Sequence, residues 1–209
     1  MEITAITPQA KDKTRCSIYV DGRFYCGLTL ETTVKNRLKV GQSVTAEYLS
    51  EIQLESEKRT ALDKALTHIT ATQKTEREIR SFLTKKGYLP ATVEYVLEKL
   101  RGYDFVNDGQ YAKAYVSSKS KKKGERLIEL ELRAKGISEE DVGAALSEID
   151  ESSQIEAARS VLEKYLRAKT VDAATLQKGY RHLLSKGFSY EVARAALSAL
   201  KGIEEMEDL

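Results

Sequence analysis

Three stretches of the chain end alike. FLTKKGY (82–88), ELRAKGI (131–137) and HLLSKGF (182–188) each carry Leu-x-x-Lys-Gly followed by an apolar residue. The glycines are Gly87, Gly136 and Gly187, spaced 49 and 51 residues apart. The pattern has a physical cause. Glycine takes the left-handed conformation that ends a helix at little cost. A lysine in the last turn complements the helix dipole. The apolar residue after the glycine folds back onto the leucine five positions earlier, as in a Schellman cap. That pairs Leu83 with Tyr88, Leu132 with Ile137 and Leu183 with Phe188. A chain that stops helices this way three times at one period is a helical repeat array.

The residues around each stop extend the pattern. Six, ten and thirteen residues after the glycines stand Val93, Leu97 and Leu100, then Val142, Leu146 and Ile149, then Ala193, Leu197 and Leu200. This spacing lies on one helical face. A leading helix precedes each stop, marked by Leu62, Ala65, Leu66 and Ile69, by Tyr111, Ala112, Tyr115 and Val116, and by Ala158, Val161, Leu162 and Tyr165. Asp108 is expected to cap the second leading helix. Ser138 with Asp141, and Thr75 with Glu78, read as capping boxes. Units of about 50 residues are near the lower limit for an independent core, so packing between neighbours is expected.

Residues 1–50 read differently. RCSIYVDGRFYCGL places two β-favouring runs around Asp21-Gly22, a strong hairpin signal. ITAITP is expected to add a strand, and ETTVKNRL a short helix. In a regular hairpin Ser17 pairs with Cys26, which turns Cys16 to the opposite face and argues against a disulfide. The fold class expected is mainly α: a tandem array of three three-helix repeats preceded by a small β-rich N-terminal module. The boundaries are 1–50 for the β-rich module, 51–106, 107–151 and 152–203 for the repeats, and 204–209 for an acidic tail.

The net charge of +2 over 209 residues excludes a generic polyanion binder, so electrostatic arguments rest on local patches. No apolar run suits a membrane span or a signal peptide, which points to the cytoplasm. Catalysis has little to build on. His68 and His182 fall among helical core residues, and with Cys16 and Cys26 they make no metal-ligand spacing. KKKGERL lacks the second glycine and the Gly-Lys-Ser/Thr ending of a phosphate loop.

One patch stands out. Between Lys119 and Lys135 seven basic residues (Lys119, Lys121, Lys122, Lys123, Arg126, Arg133 and Lys135) face three glutamates, a local charge of +4. Lysines at a helix entrance forgo about 0.3–1 kcal/mol each of favourable dipole interaction. A phosphate or an acidic partner would compensate; a solvated loop is the plain alternative. On the helix that follows, Ile128 and Leu132 share one face, and Arg126, Leu130 and Arg133 the opposite one. The second face is either a contact stripe or a leucine packed on a neighbouring repeat. Tyr111 and Tyr115, one turn apart, are expected in the core.

The ordered motif in FVNDGQYAKAYVSSKSKKKGERLIELELRAKGI (105–137) resembles the central motif of the RecX family: Asp108, Tyr111-Ala112, Lys123-Gly124, Glu131-Leu132-Arg133 and Lys135-Gly136. The flanking EIRSFLTKKGYLPATVEYVLEKL and RHLLSKGFSYEVARAAL fit its outer repeats. The resemblance covers about residues 58–200, and the acidic EEMEDL departs from it. It implies a non-enzymatic protein that binds and mostly restrains the RecA recombinase filament; the chain is expected to need no cofactor and to act as a monomer. Lys119, Lys121, Lys122, Lys123, Arg126, Leu130, Arg133 and Lys135 are the residues expected to meet the filament or its single- or double-stranded DNA. The competing reading is a direct DNA-binding protein whose three-helix units act like helix-turn-helix modules.

Overall fold

The computed structural model describes residues 1–10 and 12–207, with side chains through Leu200. The acidic segment 204–209 therefore lies outside the residues whose side chains are described. The chain is mainly α, with three three-helix repeats behind a small antiparallel sheet. It divides into two compact units. One holds Met1–Lys74 with Glu78–Val106; the other gathers Thr75–Arg77 with residues from Asn107 onward.

In the first unit, β1 (Ile3–Pro8), β2 (Arg15–Val20) and β3 (Arg23–Thr29) form the sheet in that order. Asp21 and Gly22 turn the hairpin with φ of 49° and 78°, both positive as a type I′ turn requires. Val20 pairs with Arg23 as expected, but a bulge between Ile18 and Tyr19 then shifts the register by one. Ser17 meets Gly27, Ile18 meets Cys26, and Cys16 meets Leu28. The bulge thus reverses the expectation that Cys16 and Cys26 face opposite ways. Both are free thiols buried in the core under the sheet, with Ile3, Ile18 and Leu28.

The short α1 (Leu30–Lys35) is capped by Thr29, whose hydroxyl accepts the Thr32 N–H. Next, α2 runs over 26 residues, Ala46–Ala71. Its first half packs Leu49 and Ile52 under the sheet. Its second half packs Ala61 and Ala65 against α3 (Glu76–Lys85) and α4 (Pro90–Gly102), where Ile79, Leu83, Val96, Leu97 and Leu100 are buried. One helix therefore belongs to two cores.

The second unit contains α5 (Asp108–Lys119), α6 (Glu125–Ala134) and α7 (Glu139–Leu146), followed by α8 (Glu151–Leu166), α9 (Ala173–Ser185) and α10 (Tyr190–Glu207). Each trio closes its own core, around Ile128 and Leu132 in one and Leu162, Leu183 and Phe188 in the other.

The glycine stops form as the sequence predicts. Gly87, Gly136 and Gly187 have φ of 86°, 86° and 87°. Tyr88, Ile137 and Phe188 donate their N–H to the carbonyls of Leu83, Leu132 and Leu183 at 3.3, 3.2 and 3.2 Å. Each glycine N–H reaches the carbonyl three residues back, which completes the Schellman motif. The three leucines are fully buried.

Candidate functional site

The segment Lys119–Lys135 lies in the second unit and spans the end of α5, a tight turn and α6. The turn has a fixed backbone. The N–H groups of Lys122 and Lys123 both donate to the Lys119 carbonyl at 2.9 Å, and the Gln154 side chain donates to the Ser120 carbonyl at 3.4 Å. Only the side chains project, and those of Lys121 and Lys122 are exposed and form no ion pair among the described residues.

Gly124, the N-cap of α6, sits on the end of α9. Its N–H donates to the Lys186 carbonyl at 3.0 Å, and the Arg126 N–H donates to the Gly187 carbonyl at 3.3 Å. A Cβ on Gly124 would overlap the Gly187 carbonyl and the Phe188 nitrogen. The positive end of α6 thus meets the negative end of α9. The dipole cost of the lysines at the helix entrance is offset inside the chain, so that feature no longer calls for an outside anion. Exposure, rather than a compensating charge, is what marks Lys121 and Lys122.

The two faces of α6 are as the periodicity predicts. Ile128 and Leu132 are buried, whereas Leu130 is 65% exposed. This removes the alternative in which Leu130 packs against a neighbouring repeat within the second unit. Its flanking arginines are exposed but engaged. Arg126 lies over the Tyr190 ring with 5.5 Å to the centroid. Arg133 pairs with Glu129 at 2.9 Å and Glu139 at 3.1 Å.

Behind this face the remaining cations belong to an aromatic cluster. Tyr111 and Tyr115 stack with centroids 6.1 Å apart and planes 17° from parallel. Lys135 lies over Tyr111 and Lys119 over Tyr115, at 5.4 and 5.6 Å. The Tyr115 hydroxyl donates to Glu131 at 2.8 Å, and Lys123 pairs with the other oxygen of that carboxylate. Burial, then the bond to the Glu131 carboxylate, push the Tyr115 phenol up to about 12. Burial works against ionisation of Glu131, but the bonds from Lys123 and Tyr115 outweigh it and hold its pKa below the ordinary glutamate value. Tyr111 and Tyr115 do pack on the core, as expected, yet each also seats a lysine. The Tyr115–Lys119 spacing of four was legible; the Lys135–Tyr111 and Arg126–Tyr190 partners are long-range and left no local signal.

Asp108 does not cap its own helix. Asn107 does, accepting the Gln110 N–H at 2.9 Å, while the Asp108 carboxylate accepts the Glu76 N–H at 3.0 Å and so caps α3. Both histidines stack on aromatic rings. His68 lies 4.1 Å from Phe82, and His182 lies 4.5 Å from Tyr165. Among the described residues no three His, Cys, Asp or Glu come together to hold a metal ion, and no helix is long and apolar enough to cross a membrane.

Comparison with known proteins follows the same order of modules. The model of the regulatory protein RecX N-terminal domain matches residues 1–45. Those of the first, second and third RecX three-helix domains match 61–100, 107–146 and 152–197. The regulatory protein RecX of Bacillus licheniformis is 33% identical over 199 residues, covering 93% of this chain and 76% of that protein. That of Clostridium perfringens strain SM101 is 32% identical over 210 residues, covering 99% of each. A crystal structure of regulatory protein RecX superposes with a TM-score of 0.69 at 29% identity, covering 92% of this chain and 97% of that one. RecX from Lactobacillus salivarius gives 0.64 at 25% identity over 69% of this chain and 97% of that one. With the N-terminal module and all three repeats matched in sequence order, the chain belongs to the RecX family of regulatory proteins.

Proposed function

We propose that the chain is a non-enzymatic regulator that binds the RecA–DNA filament and restrains recombinase and coprotease activity, working as a monomer in the cytoplasm. The acting modules are the repeats 51–106, 107–151 and 152–203. The observation that carries the reading is the outward face of α6. There Leu130 stands exposed between Arg126 and Arg133, beside Lys121 and Lys122, which form no ion pair among the described residues and sit on a turn closed by backbone hydrogen bonds to the Lys119 carbonyl. An apolar residue framed by arginines is the composition of an interface centre rather than of a solvated surface. Lys119, Lys123 and Lys135, held over tyrosines or on Glu131, add positive charge behind that face. Engagement by more than one repeat would add avidity that a single repeat lacks.

The test is a titration against naked DNA and recombinase-coated DNA over a salt series. Tight binding to the coated DNA alone supports the filament reading. Equal affinity for both with a steep salt slope would support direct DNA binding instead.

A further inference from the structure

The helix stops give every repeat the same surface, and in the second unit both examples are occupied. On the Gly136 stop lies the first turn of α3: the Thr75 hydroxyl donates to the Lys135 carbonyl at 2.9 Å, and Arg77 packs where a Cβ on Gly136 would stand. On the Gly187 stop lies the first turn of α6: the Gly124 N–H donates to the Lys186 carbonyl, and Leu127 fills the space beside Gly187. The two visiting segments match in sequence, Lys74-Thr75-Glu76-Arg77 and Lys123-Gly124-Glu125-Arg126. Each is a small N-cap residue followed by a glutamate. The fit is electrostatic as well as steric, because a helix end rich in carbonyls receives a helix start rich in N–H donors.

The third stop has the same backbone but no visitor among the described residues. A Cβ on Gly87 would meet nothing within 4 Å. The Lys86 carbonyl, equivalent to the acceptors at Lys135 and Lys186, takes no hydrogen bond among the described residues. Two residues past the glycine the occupied stops carry serines, Ser138 and Ser189, which cap the next helix at their own repeats. The open stop carries Leu89, 59% exposed. Within the first unit Phe24, 60% exposed, lines a groove of about 440 Å³ with Gly87 and Tyr88. Lys64 stands over Tyr88 and Lys86 over Phe82, and neither pairs with a carboxylate among the described residues.

Among the second helices of the three repeats, the kind that makes these visits, a second copy of the chain has no free start to offer. Thr75 and Gly124 are spent within their own molecule. The start of α9 lies fourteen residues before its glycine, against eleven for α3 and α6. That longer start is closed by Asp172, whose carboxylate accepts the Thr175 N–H at 2.7 Å.

We propose that the Gly87 stop, with Lys86, Leu89 and Phe24, seats the first turn of a helix of the recombinase. That turn carries a small N-cap residue followed by an acidic one, as the chain's own visiting segments do. The proposal rests on the filament reading above and names a second contact surface, in the first unit. The full-length chain with p-benzoylphenylalanine at position 89 is irradiated on recombinase-coated single-stranded DNA, with co-sedimentation measured in parallel. The expected result is an adduct to the recombinase at a helix start. The Leu89→Ser variant, which installs the serine of the sister repeats, is expected to bind the coated DNA about tenfold more weakly with unchanged melting. Co-sedimentation with adducts only to DNA, only to a second copy, or to nothing, together with undiminished binding by Leu89→Ser, would overturn the proposal while leaving the filament reading intact. Failure of the unaltered chain to co-sediment would overturn the filament reading, and this contact with it.

Discussion

Gly124 donates its N–H to the carbonyl of Lys186 at 3.0 Å, so a helix of one repeat begins where a helix of the next ends. The residue that must be small is therefore dictated by the backbone of Gly187, 63 positions away in sequence, and the Lys-Gly of the central motif has a packing reason independent of any partner. Gly124→Ala keeps an allowed φ of −78° but places its methyl on the Gly187 carbonyl. Urea denaturation should show a loss of about 2 kcal/mol, the range for overpacking against immovable backbone.

The three stop glycines should rank by their surroundings. All need positive φ, so replacement by alanine costs about 1 kcal/mol at Gly87, where there is open space. Gly136→Ala adds displacement of the Arg77 side chain and should cost about 2 kcal/mol. Gly187→Ala meets the Leu127 backbone and should cost about 3 kcal/mol. Equal losses at all three positions would show that the visiting helix starts are not seated as described.

For the outward face of α6, the informative variant is Lys121→Ala, Lys122→Ala, Arg126→Ala and Leu130→Ser combined. All four side chains are exposed, and Lys123 is left in place because it holds Glu131. Melting should stay within about 2 °C of the unaltered protein. Affinity for recombinase-coated DNA should fall about tenfold or more. Unchanged affinity would remove this face from the function.

His182 gives the second unit an acid sensitivity. Burial, with the nearby charges of Lys186 and Lys169, lowers its pKa below the ordinary histidine value. The folded state thus disfavours the proton that the unfolded chain takes up near pH 6.5. The stability this contributes is present above that pH and is lost as pH falls through the folded-state pKa. Thermal melts between about pH 7 and 5.5 should decline, and His182→Gln should flatten that part of the profile.

The Lys123–Glu131–Tyr115 cluster can be titrated directly. Lys123→Ala removes a bond that lowers the Glu131 pKa and leaves the opposing burial in place. Carboxylate carbon NMR should show the Glu131 midpoint rising relative to the unaltered protein. A midpoint that does not move would mean that Lys123 is solvated rather than paired.

Local chemistry wrote much of this fold into the chain in readable form. The Schellman stops at Gly87, Gly136 and Gly187 and the turn at Asp21-Gly22 follow from residues adjacent in sequence, and so does the buried pair Ile128 and Leu132. Features that depend on distant partners were silent. Nothing near Ile18 announces the bulge that brings Cys16 and Cys26 to one face. Asp108 reads as a cap but is the first residue of α5, and it serves α3 because the backbone of Glu76 comes to it. The basic run was visible as composition, but its division into exposed Lys121 and Lys122, tyrosine-seated Lys119 and Lys135, and paired Lys123 needed the three-dimensional arrangement. The lysines at the helix entrance looked unfavourable only because the end of α9 could not be seen from α6.

The 26-residue α2 spans about 39 Å and has no break at the point where it leaves the sheet for the first repeat. Deleting the strands would strip Leu49 and Ile52 of their cover while leaving Ala61 and Ala65 buried, so a truncated chain would carry a greasy stub. Conversely, sheet and repeat share one uninterrupted backbone, so a displacement of the strands is carried along the helix into the repeat's core.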